Sequence, residues 1–176
     1  MVDIYLRALE LSDLERTHKW HNDPELYVTL GGVFRYTSMA TEEQWLKSVI
    51  AGKADAINLA VCVAENDEHV GNIYLRDIDW INRHGEVHQF IGSAGKRYKG
   101  IGHQAVGILQ DYAFNQLGLE RLFVHIIDGN IPAIKSLEKN GWQVEGHLRK
   151  HIFKNGEFKD VIIMGYCRGD KVNPNT

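Results

Sequence analysis

One stretch, Glu86 to Ile127, restricts the fold most. It begins with an extended run, Glu86-Val87-His88-Gln89-Phe90-Ile91-Gly92, and passes through an irregular basic loop, Ser93 to Lys99. Gly100-Ile101-Gly102 then opens a helix whose apolar residues Ile101, Ala105, Ile108, Leu109, Tyr112, Ala113 and Leu117 recur at helical spacing. Gly118 suits the stop of that helix, and Leu122 to Ile127 reads as a second buried strand. Strand, helix, strand at this length is a crossover unit, which lays the two strands parallel in one sheet with the helix on its face.

The remaining segments surround that unit with antiparallel structure. Ile4 to Ala8 alternates as a first strand, and Ser12-Asp13-Leu14-Glu15 has capping-box spacing for a helix running to about His21, stopped by Asn22-Asp23-Pro24. Residues 29–39 read as a loop. Thr41-Glu42-Glu43-Gln44 repeats the capping-box spacing before a helix to about Ala51. Ile57–Glu65 and Val70–Trp80 form a hairpin around Asn66-Asp67-Glu68-His69. Pro132 sits early in a helix ending near Asn140-Gly141, and two last strands, Trp142–Phe153 and Phe158–Cys167, flank Asn155-Gly156, a strong hairpin signal. The order β-α-α-β-β-β-α-β-α-β-β predicts a single α/β (α+β) domain over 1–168, with about seven strands in a mixed, mostly antiparallel sheet and four main helices. Residues 169–176 read as a frayed tail.

Composition narrows the function. The 176 residues carry 20 Lys+Arg against 23 Asp+Glu, a formal charge of −3. A slightly acidic chain is a poor generic ligand for nucleic acid. No apolar run reaches the ~18 residues of a membrane span. The start, Met1-Val2-Asp3-Ile4-Tyr5, lacks a basic region followed by an apolar run, so a cytoplasmic protein is expected. Cys62 and Cys167 lie far apart in apolar runs, which excludes a cysteine zinc site and predicts two buried, reduced thiols. His84 and His88, like His147 and His151, fall about 13 Å apart on strands. His18 and His21 on a helix lack a third ligand, so no metal is expected.

The loop at the centre of the crossover carries the chemistry. Gly100 and Gly102 let a ligand approach the backbone, the helix start offers N–H donors, and Lys96, Arg97 and Lys99 add charge, which suits a pyrophosphate. A plain helix-start turn with solvated basic residues accounts for the loop equally well. No Walker A string exists. Gly100-Ile-Gly102-His-Gln-Ala105 matches GxGxxG/A formally, with Asp128 as a ribose partner. However, Ser93 to Lys99 separate strand from glycines, and antiparallel hairpins precede the unit where a dinucleotide fold would have a parallel array.

Beyond the loop the chain resembles a family. Arg97-x-x-Gly100-x-Gly102 is similar to the acyl-CoA pyrophosphate motif of the GNAT superfamily of N-acetyltransferases. Tyr112-Ala113-Phe114 with Leu117-Gly118-Leu119-Glu120-Arg121 resembles the end of that family's central helix. Asn130-Ile131-Pro132-Ala133-Ile134 with Leu137-Glu138-Lys139-Asn140-Gly141-Trp142 resembles its following helix. Leu6-Arg7-Ala8-Leu9, Trp20 with Asn22-Asp23-Pro24, and Glu145-Gly146-His147-Leu148-Arg149 with Asn155-Gly156 are similar to the RimJ/RimL and spermidine acetyltransferase branch.

The resemblance implies acetyl-CoA as co-substrate, held where two parallel strands splay apart. It assigns the pantetheine to Phe90, Ile91, Gly92 and Asn130, and the pyrophosphate to Lys96, Arg97, Lys99, Gly100, Ile101, Gly102 and His103. It implies direct acetyl transfer to a primary amine: a small amine, an amino sugar, an antibiotic or a protein N-terminus. An amine of pKa ~10.4 is about one part in 10³ neutral at pH 7, so a base is needed. Glu86 matches the strand glutamate that serves as base in some members, and His88 shares its face. The usual tyrosine acid falls on Leu137, which cannot donate; Ser136 beside it is the candidate that could. Tyr36, Asp79 and Trp80 are the candidate acceptor contacts. A homodimer is a family-level expectation. A non-catalytic acyl-CoA-binding module and a dinucleotide-binding protein are the alternatives.

Overall fold

The computed structural model describes residues 2–93, 95 and 100–170. Seven strands form one sheet: β1 (Ile4–Ala8), β2 (Ile57–Val63), β3 (His69–Asp79), β4 (His84–Ile91), β5 (Arg121–Ile127), β6 (Gln143–Lys154) and β7 (Glu157–Cys167). Their spatial order is β1-β2-β3-β4-β5-β7-β6. All neighbours are antiparallel except β4 and β5. The helices are α1 (Leu14–His21), α2 (Pro24–Tyr27), α3 (Met39–Ile50), α4 (Ile101–Asn115) and α5 (Ile131–Glu138). The crossover through α4 brings in the one parallel pair. The second crossover, through α5, does not, because β7 inserts between β5 and β6. This mixed sheet is the predicted one, and it lacks the parallel array of a dinucleotide fold.

Both faces of the sheet are covered, and the alternation of the central strands shows how. Val61 and Val63 of β2 with Ile73 and Leu75 of β3 join Leu109 of α4 in one core. The intervening Ala60, Cys62 and Tyr74 join Trp20 of α1 and Leu46 of α3 in a second, on the opposite face. Side chains of Val106 and Phe114 are buried in α4, whereas Ile108 and Tyr112 are more than a third exposed, so the buried stripe is rotated from the predicted one. Cys62 is buried, but Cys167 is exposed, because it ends β7 where the chain turns away.

Helix starts differ from their predicted caps. A 3-10 turn over Leu11–Asp13 precedes α1, and Asp13, not Ser12, organises the entry. Its buried carboxylate accepts from the Glu10 N–H (2.9 Å), from both terminal nitrogens of Arg7 (2.8 and 2.7 Å) and from Nδ1 of His69 (3.0 Å). Nε2 of His69 lies 2.7 Å from Oδ1 of Asn72, whose amide donates to the Tyr74 hydroxyl (2.9 Å). A hydrogen-bonded chain thus runs from Arg7 through the core. For α3, Ser38 rather than Thr41 is the cap, its hydroxyl accepting from the Thr41 N–H (3.1 Å). Asp23 and Pro24, read as a stop, also begin the one-turn α2. Asn155 and Gly156 sit at positive φ (53° and 84°) and close the β6–β7 hairpin as expected. Arg168 and Gly169 form a turn closed by Asp170, which accepts from the Cys167 N–H (2.8 Å); the rest of the predicted tail lies outside the described residues.

Trp20 anchors α1 onto the end of β4. A Cβ placed on Gly92 would lie 2.2 Å from its ring. Gly92→Ala must displace Trp20, which is buried edge-on against Phe90 (5.7 Å) and His69 (4.9 Å). A loss of about 1–3 kcal/mol in urea unfolding is expected, the cost of overpacking a filled site.

Candidate active site

The parallel pairing of β4 and β5 is short. His84, Gly85 and Glu86 face Arg121, Leu122 and Phe123, and there the ladder ends, although β4 continues to Ile91 and β5 to Ile127. The strands splay apart beyond Glu86, which stands at the apex of a V. The V opens into a cavity of about 840 Å³ that passes through the sheet. One mouth lies under α1, α3 and the loop after Tyr27; the other lies under α4 and α5.

Backbone register decides which groups face the gap. The Gly92 N–H donates to the Val70 carbonyl (2.9 Å). Two-residue alternation turns Phe90 and His88 toward β3 in the same way, and leaves the main chain of Val87 and Gln89 facing the gap. Phe90 and Gly92, named from sequence for backbone contacts, thus turn their main chain to β3, while Ile91, by the same alternation, turns its main chain to the gap with Gln89, which sequence reading missed. Phe90 is instead a buried ring of the α1–α3 core.

Glu86 and His125 meet at the apex because Glu86 pairs with Phe123, and His125 lies two residues on, on the same face. Nδ1 of His125 lies 2.8 Å from Oε1 of Glu86, and Nε2 of His88 lies 3.5 Å from the same oxygen. Burial pushes the Glu86 carboxyl up, but the hydrogen bonds and charges of His88 and His125 outweigh it and hold it at about 2. The ring of His151 on β6 stacks on His125 at 6.2 Å and 12°. Sequence reading gives His125 no role and names His151 only to exclude a metal shared with His147. Matching β4 with β5 in parallel register from Glu86 and Phe123 would have found the first.

The α4 mouth has a glycine start. Gly100 caps α4 at φ 79°. A Cβ on Gly102 would lie 3.3 Å from Nε2 of Gln89, whose Oε1 is buried with no hydrogen-bond partner among the described residues. Ile101 is core and does not line the cavity. The His103 ring lies 3.4 Å from the Ser136 carbonyl and is turned toward α5. Lys96, Arg97 and Lys99 lie outside the described residues. Asn130 lines the cavity, caps α5 through Ala133 and donates to the Thr29 carbonyl (3.3 Å).

Four predicted residues are placed elsewhere. Leu137 lines the cavity, but Ser136 points off it, its hydroxyl buried without a partner among the described residues. Tyr36 is 88% exposed, and its neighbours Arg35 and Thr37 take the lining positions. Asp79 ends β3 and holds the turn that follows, accepting from the N–H groups of Ile81 and Asn82 (2.9 and 2.8 Å). Trp80 donates to the Ala54 carbonyl (2.8 Å). Both precede the paired start of β4, at the closed end of the V, and do not line the cavity.

A single mixed sheet with one short, splayed parallel pair and a glycine-started helix beside it is a GNAT fold. Residues 3–143 match the family model of the acetyltransferase (GNAT) domain, and the chain belongs to that family. It is an acetyl-CoA-dependent N-acetyltransferase. Among similar proteins, a spermidine N(1)-acetyltransferase of Vibrio cholerae is 28% identical over 168 residues, covering 96% of this chain and 95% of its own. An L-amino acid N-acetyltransferase of Escherichia coli is 25% identical over 166 residues, covering 93% and 98%. The crystal structure of the Vibrio cholerae spermidine N-acetyltransferase with CoA and spermine superposes with TM-score 0.88 at 26% identity, covering 97% and 98% of the two chains.

The residues present fit a CoA arm. The unpartnered Gln89 Oε1 can accept a hydrogen bond from an amide, and Val106, Val124, Ala133 and Leu137 give the passage apolar walls.

Proposed function

We propose that the cavity acetylates a primary amine with His125 as general base and Glu86 as its positioning residue. The Glu86–His125 contact carries this reading. A carboxylate held at about 2 is a weak proton acceptor for an ammonium of pKa ~10.4. An ionised carboxylate only accepts, so the proton of His125 sits on Nδ1, and Nε2 carries the lone pair. Glu86 fixes that tautomer and stabilises the imidazolium formed when Nε2 takes the amine proton, the relation a carboxylate holds to histidine in a hydrolase triad. His151 supports the ring by stacking. Acetyl-CoA, when bound, supplies the activated acetyl thioester. The main chain of Val87 and Gln89 faces the arm, and the start of α4 at Gly100 and Gly102 faces its phosphates. Leu137 closes this wall with hydrocarbon, so α5 contributes no acid from that position.

Relatives named for spermidine and for amino acids support a primary amine as the shared acceptor chemistry. Calorimetric titration with acetyl-CoA, NADH and NADPH at matched salt tests the cofactor side. Micromolar binding of acetyl-CoA alone is expected. Absence of acetyl-CoA binding would overturn the reading.

A further inference from the structure

We infer that the acceptor amine carries an anionic group, a carboxylate or a phosphate, held by Arg35 and Arg76. This rests on the cavity being the transfer site. The charges that line the α1–α3 mouth decide it. Two carboxylates are present, and both are taken. Glu42 is 1% exposed and lies 2.7 Å from Nδ1 of His21. Glu86 serves two imidazoles. Each carboxylate thus already has a side-chain hydrogen-bond partner.

The two guanidiniums are in the opposite condition. Arg76 stands directly across from Glu86 in the β3–β4 register, yet the Glu86 carboxylate goes to His125, and Arg76 lies over the Tyr74 ring (4.6 Å). Arg35 sits on the loop beside Thr37. That loop is pinned there: the Thr37 N–H donates to Oδ1 of Asn22, and the Thr37 carbonyl accepts from Nδ2 of Asn22, each at 2.9 Å. Both side chains line the cavity, and neither has an ion-pair partner among the described residues. A planar guanidinium fork matches a carboxylate or phosphate in two parallel hydrogen bonds. A polycation entering the same mouth meets two guanidiniums without ion-pair partners among the described residues, and carboxylates already hydrogen-bonded to imidazoles, which disfavours it.

The test is steady-state acetylation of matched amines: methionine against 3-(methylthio)propylamine, glucosamine 6-phosphate against glucosamine, and spermidine. The anionic member of one pair is expected to show kcat/KM at least about tenfold above its neutral partner, with spermidine the poorest, consistent with one charge-assisted contact. The winning pair distinguishes carboxylate from phosphate. Arg35→Gln and Arg76→Gln are each expected to raise KM for that amine by about tenfold to a hundredfold with kcat little changed. Arg35 is exposed, so its variant folds even if Arg76→Gln does not. Preference for spermidine or a neutral amine, an unchanged KM in the Arg35 variant, or no turnover of any anionic probe overturns the inference. Calorimetric acetyl-CoA affinity, retained in both variants, separates this failure from failure of the transfer reading.

Discussion

His125→Ala is expected to lower kcat for amine acetylation by about 10² to 10⁴, the range that general-base catalysis supplies, while acetyl-CoA still binds. His125 lies at the V apex with its Nδ1 committed to Glu86, so removing the ring removes the base and leaves the passage for the CoA arm in place. Glu86→Gln separates the two roles. A glutamine of the same shape can turn its amide toward Nδ1 and donate. That moves the histidine proton to Nε2, the nitrogen that must be empty to receive one from the amine. A fall in kcat close to that of His125→Ala is expected, with a non-additive double variant, because the pair acts as a unit. If Glu86→Gln abolishes turnover while His125→Ala leaves it intact, Glu86 is the base after all. Single-turnover kinetics with saturating acetyl-CoA make the comparison free of product release.

Asp13→Ala is expected to destabilise the fold by about 3–5 kcal/mol, measured by urea unfolding. Asp13 is 5% exposed and balances Arg7 and His69, which is itself buried. Alanine leaves a guanidinium and an imidazole without their anion inside the protein. Against a typical stability of about 5–15 kcal/mol the loss is a large share. Asn at this site keeps the shape and part of the hydrogen bonding, so a smaller loss is expected there. The wild-type protein carries a matching pH signature. Burial pushes the Asp13 carboxyl up, but hydrogen bonds from Arg7, His69 and the Glu10 N–H more than offset this and hold it well below its ordinary range. A group lowered on folding binds fewer protons in the folded state than in the unfolded one. Its contribution is therefore complete above the unfolded value of about 3.9, and is lost as pH falls from there toward the folded value. Glu86 adds a second loss of the same sign, between its ordinary range and about 2. Unfolding midpoints should drop steeply below about pH 4, and the part due to Asp13 should vanish in Asp13→Ala.

The sheet and its helices were legible from the chain because each element announces itself locally. The extent of α4, the alternation in β2 and β3 and the Asn155-Gly156 hairpin all depend on residues close in sequence, whereas the buried stripe of α4 is set by what packs on it. The start of α1 was misread because its organising group, Asp13, is chosen by Arg7 and by His69, which no local rule can anticipate. The site was half legible for the same reason. The glycines beside α4 and the face shared by Glu86 and His88 follow from position along one element. The V does not, since it depends on where β4 stops pairing with β5. His125 reads on its own as an interior residue of an apolar strand, and becomes conspicuous only once Phe123 is set opposite Glu86. Asp79 and Trp80 suit an acceptor site by their chemistry, but topology puts them at the closed end of the V, Asp79 paired with His84, away from the cavity lining.

The loop from Tyr27 to Gly32 is fastened by a residue from the far end of the chain. The Lys154 ammonium on β6 donates to the carbonyls of Tyr27, Leu30 and Gly32, the last at 2.9 Å. Three main-chain oxygens converge on one cation, so the shape of this rim is stored outside its own sequence. Selectivity built into the rim is then not a portable cassette. Transplanting residues 27–37 into a related scaffold would carry Arg35 across without the clasp that orders the segment before it. Conversely, changing position 154 alone would recontour the entrance while leaving every residue of the rim untouched. Lineages that diversify this protein can therefore reshape the amine entrance through Lys154, a residue that does not itself line the cavity.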